Sequence, residues 1–487
     1  MLSMQFISHF IVYMIMKQTE SGNRGSKLLK NLGIYALGNI SSKLIMFILV
    51  PVYSFFISPD ELGRYDIFFM CVTVLLPIVS MQLRDGTFRF LVDTDDEERR
   101  KKVVTFSLKT LVRNFIVCAG AGAILSFVID AKYLWYVIGF AASLSLYEVI
   151  VQAVRGLGHT KAFAGAGILT SFLICGITLP LVAVFEIGID GIFIGNIAAR
   201  LIVIALIELR LHLFSRYFVP QLHDRALGRE ILGFSVPLVV VTLLLWGLSS
   251  SNRFFIQHFV GYSENGLFSV AQKFAAILET LALIFYQAWQ ETAIKQYDDS
   301  DRNAFYSRIL NIYIWFLTLL VVVVSYGVNL LYGWIVSAEY QESRFYLYPL
   351  LSSSMLVSLC FFYDVGYQCV KKTVRELPGL VIALAISLAG NFFFVQWWGV
   401  YGILATLNLS YLVLIAIRIA DTKKYIRLTL TWRSFLSMAV LVAAGVFYYI
   451  LPGKLENFAF GVLMSAVLLA CVPPEIIKMV LSKIKPS

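Results

Sequence analysis

What most limits the fold of this chain is a recurring pattern. Apolar stretches of about 20 residues alternate with short loops that carry most of the charge. The stretches are Leu32–Ile57, Ile67–Phe90, Asn114–Ile129, Leu134–Val154, Ala162–Phe185, Gly191–Leu209, Ile231–Phe259, Leu267–Trp289, Ile309–Leu331, Phe345–Val370, Leu377–Trp397, Val400–Ala420, Phe435–Leu451 and Phe458–Val472. Each is long enough, or nearly so, to cross a bilayer, and each must then be helical, because an open strand cannot satisfy its backbone in lipid. The expected fold is an all-α polytopic membrane protein of about 14 transmembrane helices. With 59% hydrophobic and 14% charged residues, the composition excludes soluble enzymes, disordered chains and disulfide scaffolds.

Charge gives an independent check on this layout. With the amino end in the cytoplasm, 30 of the 40 Lys and Arg fall in inner segments, and only Arg64, Lys132, Arg344 and Lys454 fall outside. That asymmetry is what the positive-inside rule requires, and one missed or surplus helix would scramble it. Both termini are therefore expected on the cytoplasmic side. The net charge of +10 fits loops held against anionic lipid, and no basic run interleaved with aromatics suggests a nucleic-acid partner. Residues 1–16 are apolar but lack a basic n-region and a small-residue cleavage site. They read as an interfacial helix, or as leader upstream of a start at Met4, Met14 or Met16, and not as a signal peptide.

The chain repeats itself. Ser58–Tyr65 and Gly261–Phe268 are outer turns, each placing a Glu two residues before a Gly and an aromatic two after it. Gly188–Ile192 and Gly399–Ile403 form a second matched pair. The matched glycines are 203 residues apart in the first pair and 211 in the second. Two half-chains of six helices follow, entering the membrane from the same side and related by an axis along its normal, with a cavity between them. The expected organisation is a cytoplasmic segment 1–30, an N-lobe 31–210, a linker 211–230, a C-lobe 231–420, and two further helices with a tail in 421–487.

Six cations remain inside spans: Lys43, Arg84, Arg89, Arg200, Arg253 and Lys273. A mid-bilayer charge costs about 2.5–3.5 kcal/mol on insertion scales, so such residues normally face a cavity or a partner. Arg89 is close enough to the inner end to snorkel. Lys43, Arg84, Arg200, Arg253 and Lys273 are the expected cavity cations, with an anion as ligand and phosphate as the group that suits Arg best. Among these, Arg253 and Lys273 are expected to hold that anion. Glu148, Glu279 and Asp364 are the embedded carboxylates that could couple an ion. The five histidines and six cysteines show no catalytic or metal spacing, and no Gly-rich phosphate loop is present, so neither cofactor nor ATP-driven transport is expected.

The opening Leu32–Asn39, leading to Pro51-Val52-Tyr53 and Pro59–Tyr65, resembles that of the polysaccharide biosynthesis flippases. These belong to the multidrug/oligosaccharidyl-lipid/polysaccharide exporter superfamily. The second half opens similarly, with Ser235–Leu238, Trp246, Ser251-Asn252-Arg253, Gly266–Lys273 and Ala288-Trp289; Arg155–Gly158 also matches. The likeness runs from about Lys27 to near the end. It implies two six-helix lobes plus two carboxy-terminal helices around a central cavity, and export of undecaprenyl-diphosphate-linked repeat units for O-antigen, capsule or exopolysaccharide. It implies a multi-pass protein of the bacterial inner membrane, no enzymatic activity, and as partners the lipid-linked substrate, membrane lipids, and a polymerase and other assembly proteins. The family often has Asp where Asn252 stands here. Three other readings remain at this point: a peptidoglycan-precursor flippase of the same fold, a multidrug/cation antiporter, and a membrane polymerase or ligase. The basic cavity argues against the antiporter, and the short outer loops argue against the enzyme.

Overall fold

The computed structural model describes residues 49–472 apart from 128–130, 223, 371 and 452, and omits the side chains of 131, 287, 288, 291, 295 and 373. Among the described residues every regular element is a helix. Among the described residues twelve helices are long and apolar enough to cross a membrane; they overlap the second to thirteenth expected spans, the third starting 17 residues earlier than expected, at Glu97. The first expected span falls mostly outside the described residues, where only 49–56 are seen, as helix α1. The last is the helix Lys454–Ala470. Its 17 residues give about 25 Å of rise, short of a full hydrocarbon core. Among the described residues, twelve of the 14 expected crossings are therefore seen.

The chain forms two compact units, with the boundary between Gly266 and Leu267. In the first lie α2 (Pro59–Ser80), α3 (Leu83–Val92), α4 (Glu97–Leu125), α5 (Ala131–Gly156), α6 (Thr160–Ala183), α7 (Gly188–Leu211), the short α8 (Leu213–Tyr217), α9 (Arg225–Ser250) and α10 (Asn252–Phe259). Local chemistry sets several starts. Ser58 and Glu61 form a reciprocal capping box ahead of α2, with Pro59 in the first turn. Asp96 accepts from the Glu98 and Arg99 amides to cap α4, and Asp224 accepts from Leu227 to cap α9. The inner half of the unit is a core of Leu83, Leu91, Leu108, Ile150, Val203 and Ile231, drawn from α3, α4, α5, α7 and α9.

The lobe boundary expected at 211–230 is not where packing divides the chain. Residues 225–266 belong with the first unit, because α9 is tied to α2 and its continuation: Trp246 Nε1 donates to Thr73 Oγ1 at 2.9 Å, and Gln82 Nε2 donates to Thr242 Oγ1 at 2.5 Å. Repeat unit and packing unit differ.

The second unit holds most of α11 (Tyr262–Lys295), then α12 (Arg302–Ile335), α13 (Arg344–Cys369), α14 (Glu376–Trp398), α15 (Val400–Thr422), α16 (Trp432–Ile450) and α17 (Lys454–Ala470). Residues 427–431 lie extended along α12. The amides of Arg427, Thr429 and Thr431 donate to Asn303 Oδ1, Ser307 Oγ and Asn311 Oδ1 at 3.1, 3.0 and 2.8 Å. The register works because four helical residues rise about 6 Å and two extended residues span about the same. This strap fixes the start of α16.

Among the close helix crossings of each unit, one is built the same way in both. A Cβ on Gly195 of α7 would overlap Thr178 of α6, and one on Gly390 of α14 would overlap Thr406 of α15. The last two helices of each half-chain therefore meet through a Gly–Thr contact, with the two residues exchanged between helices.

Candidate functional site

The second expected span, Ile67–Phe90, is not one helix. Pro77 lies inside α2 and withdraws an amide from its last turns. The helix ends at Met81, and both Met81 and Gln82 are left-handed, at φ 49° and 51°. Two consecutive non-glycine residues there cost roughly 1–2 kcal/mol each, which the Gln82–Thr242 hydrogen bond helps to offset. Arg84 consequently sits in the first turn of the half-helix α3, the kind of discontinuity that lines binding sites in transporters.

Arg84 joins two expected residues. Its Nη1 contacts Glu148 Oε1 of α5 at 3.1 Å, and its Nε contacts Asp85 Oδ2 at 3.3 Å. Neighbouring residues on a helix normally diverge, but the long Arg84 stem folds back within the first turn. The Arg84 side chain remains 38% exposed, and Glu148 23%. Arg200, on α7, faces the same Glu148 electrostatically. Its Nη1 donates to the Asn196 carbonyl at 2.6 Å and to Asn196 Oδ1 at 3.0 Å, and its guanidinium lies 4.9 Å over the Phe140 ring. Its Nε is buried with no hydrogen-bond partner. Among the described residues no carboxylate lies within ion-pair distance of Arg200. Three of the expected site residues, Arg84, Glu148 and Arg200, thus form one cluster whose second cation is held by amide groups and a ring face.

Arg253 stands elsewhere in the first unit. The span expected over Ile231–Phe259 breaks at Ser251 into α9 and α10, and Arg253 lies in the first turn after the break. Its Nε contacts Asp66 Oδ2 of α2 at 2.7 Å, with both side chains nearly fully buried. The expected anion ligand is therefore already engaged by a carboxylate. In the second unit, Glu279 Oε1 accepts from Gln272 at 3.1 Å and Ser354 Oγ at 3.0 Å, and Asp364 is ion-paired with Arg418 in a fully buried setting. Lys273 lies on α11, partly buried. Lys43 is outside the described residues.

Two members of these pairs are not among the expected site residues: Asp66 falls one residue before its expected span, and Arg418, 3% exposed, lies at the inner end of Val400–Ala420. The run Leu412–Ala420, apolar on both sides of Arg418, was the available signal for the second.

The all-helical fold is similar to that of solved transporters, among them members of the MOP superfamily. The chain aligns over 91% of its length with the inward closed Lipid II flippase MurJ, at TM-score 0.67, 10% identity and 99% coverage of that chain. It aligns over 83% with an inward-facing multidrug resistance MATE transporter, at TM-score 0.61, 13% identity and 99% coverage. A superfamily transporter from Pyrococcus furiosus, described by the reverse polarity of its binding pocket, matches at TM-score 0.53, 15% identity and coverages of 83% and 99%. Residues 28–289 match the model of the polysaccharide biosynthesis protein family, and the chain belongs to that family. An Lsg locus protein of Haemophilus influenzae is 21% identical over 264 residues, which are 52% of this chain; the chain spans 62% of that relative's length.

Proposed function

We propose that this protein is a flippase that carries diphosphate-linked oligosaccharide repeat units on a polyprenyl lipid across the bacterial cytoplasmic membrane by alternating access, supplying O-antigen, capsule or exopolysaccharide assembly. The observation that carries this reading is Arg200 beside the Arg84–Glu148 pair: two guanidiniums on membrane-crossing helices, one with no carboxylate at ion-pair distance among the described residues. Bidentate guanidinium geometry suits phosphate oxygens, and family membership supplies the polysaccharide context. Movement of a headgroup of charge about −2 outward, with the cytoplasm negative, is favoured by on the order of 5 kcal/mol at 100 mV, so no nucleotide is required.

The test is surface polysaccharide in cells carrying Arg84→Ala with Arg200→Ala. Export should be abolished at normal protein level, and Arg200→Lys should restore it only in part, because a point charge replaces a fork. Wild-type export by the double variant would sink this site. The likeness to MurJ favours one second reading, a peptidoglycan precursor as cargo. Rescue of cells depleted of their own lipid II flippase would select it, whereas loss of surface polysaccharide alone selects the first.

A further inference from the structure

The half-helix α3 carries Arg84, yet little within α3 fixes where it stands. Its ten residues make about three turns, and the left-handed pair Met81-Gln82 ends the helical continuity that would otherwise set its rotation about its axis. The ion pairs of Arg84 do not supply that constraint. Its side chain is more than a third exposed, and partly wet pairs exchange partners at little cost. The position of α3 must come from the neighbouring helices.

Two of those helices meet the break. In an unbroken helix the Leu83 amide would take the Val79 carbonyl; here Asn114 Nδ2 of α4 donates to it at 2.8 Å. From the other side Gln82 Nε2 donates to Thr242 Oγ1 of α9. One turn along α9, Trp246 Nε1 donates to Thr73 Oγ1, so α9 is bonded to the chain both before and after Pro77. Past the break, Gly86 leaves no room for a Cβ against Ser235 and Ile231 of α9. Thr87 Oγ1 donates to Ser107 Oγ of α4 at 2.8 Å, and both residues are buried. Gln82 is where α3 begins, for its carbonyl accepts from the Asp85 amide at 3.1 Å. At 4% exposure, Gln82 is itself closed to a ligand.

We propose that Gln82 and Thr242 are positioning residues for the anion site: their hydrogen bond sets the start of α3 and thereby presents Arg84 beside Glu148 and Arg200. They act on the cargo only through Arg84, so the role rests on the reading of Arg84 and Arg200 as the anion-binding pair. A guanidinium fork holds phosphate oxygens well only within a narrow range of angles. A small rotation of α3 therefore costs affinity although no charge is lost. The left-handed conformation of Gln82 is disfavoured on its own, and the side-chain bond to Thr242 selects it.

The experiment measures binding of radiolabelled farnesyl diphosphate, a short polyprenyl diphosphate, to the purified full chain. Gln82→Gly is the informative variant, because glycine adopts the left-handed backbone freely: the break is kept and only the side-chain bond is lost. Affinity should fall by about five-fold. Thr242→Val, which removes the hydroxyl at nearly constant volume, should give the same fall, and Thr242→Ser, which keeps it, should bind like the parent. The Thr242 pair tests the same bond from α9 should Gln82→Gly not accumulate. In an Arg84→Ala background, Gln82→Gly should change binding by no more than about two-fold, since no guanidinium is left to misplace, whereas general loosening would weaken both backgrounds alike. A second measurement needs no ligand. With the native cysteines replaced, Arg84→Cys and Glu148→Cys should be joined by a short bifunctional thiol reagent, and Gln82→Gly should slow that reaction by about five-fold. Binding and cross-linking both indifferent to Gln82→Gly, or additive losses from Gln82→Gly and Arg84→Ala, would overturn the positioning role while leaving Arg84 as a ligand. Parent-level binding by Arg84→Ala would instead overturn the anion site, and the role of Gln82 with it, even where the cross-link still responds to Gln82→Gly.

Discussion

The Arg84 cluster of the first unit and the Arg418–Asp364 pair of the second handle interior charge in opposite ways. In the first, Arg84, Asp85, Glu148 and Arg200 form an open arrangement: Arg84 divides itself between two carboxylates, its side chain is more than a third exposed, and Arg200 leans on an amide and a ring. In the second, Arg418 and Asp364 are closed on each other, at 3% and 5% exposure. Ion pairs that are partly wet can exchange partners at small cost, whereas breaking a dry pair leaves an uncompensated charge. The first arrangement suits a group that must meet an incoming anion, and the second suits a fixed joint between helices.

This contrast is sharpest in substitutions that remove one guanidinium. Arg418→Ala strands Asp364 and should cost about 3–5 kcal/mol, read as a fall in thermal stability of the detergent-solubilised protein or as loss of protein from the membrane. Replacing both partners, as Arg418→Leu with Asp364→Leu, should recover most of that loss. Arg84→Ala should leave stability within about 1 kcal/mol of the parent while export falls. Equal destabilisation by Arg84→Ala and Arg418→Ala would erase the distinction between the units.

Somewhat smaller is the expected effect at the strap. Asn311 is a hub: Nδ2 donates to the Ser307 and Thr429 carbonyls, and Oδ1 accepts from the Thr431 amide, Thr431 Oγ1 and Ser434 Oγ. Asn311→Ala leaves several of those groups buried and unmet, at about 1–3 kcal/mol for each that finds no water. Proteolysis between α15 and α16 should quicken first, because the extended segment 427–431 is held by side chains and not by a ladder. An Asn311→Ala protein with unchanged cleavage there would show that α16 is anchored by its apolar contacts alone.

Much of the architecture is legible in the sequence because lipid leaves helices little alternative. Hydropathy finds twelve of the crossing helices, most to within a few residues and the second, third and seventh displaced by about 8 to 17 at one end or both, and the turn glycines mark the repeat. The breaks are less legible. Pro77 was visible, but a left-handed Met81-Gln82 pair depends on Thr242, 160 residues away, to hold Gln82 in place. The charge pairs were illegible for a similar reason. Asp66 and Arg418 sit at span ends, where hydropathy alone reads them as solvent-facing, and only packing shows them buried beside Arg253 and Asp364. A cation's chemistry is local, but its counter-charge is a property of the fold.

The smallest effect is expected where the units agree. Gly195 packs against Thr178 in the first, and Gly390 packs against Thr406 in the second, so one crossing is built with its two residues exchanged between helices. Complementarity, not the identity at either position, is then what the crossing requires. Gly195→Thr alone puts two branched side chains where one fits and should cost about 1–3 kcal/mol as the helices separate. Adding Thr178→Gly transplants the second unit's arrangement into the first. It removes the clash and leaves chiefly the helix penalty of a new glycine, about 1 kcal/mol, partly returned because Gly195 no longer carries one. The double variant should therefore unfold close to the parent and well above Gly195→Thr. If the double variant is as unstable as the single one, the α6–α7 crossing depends on the Thr178 methyl or hydroxyl itself, and the likeness of the two crossings ends at their geometry.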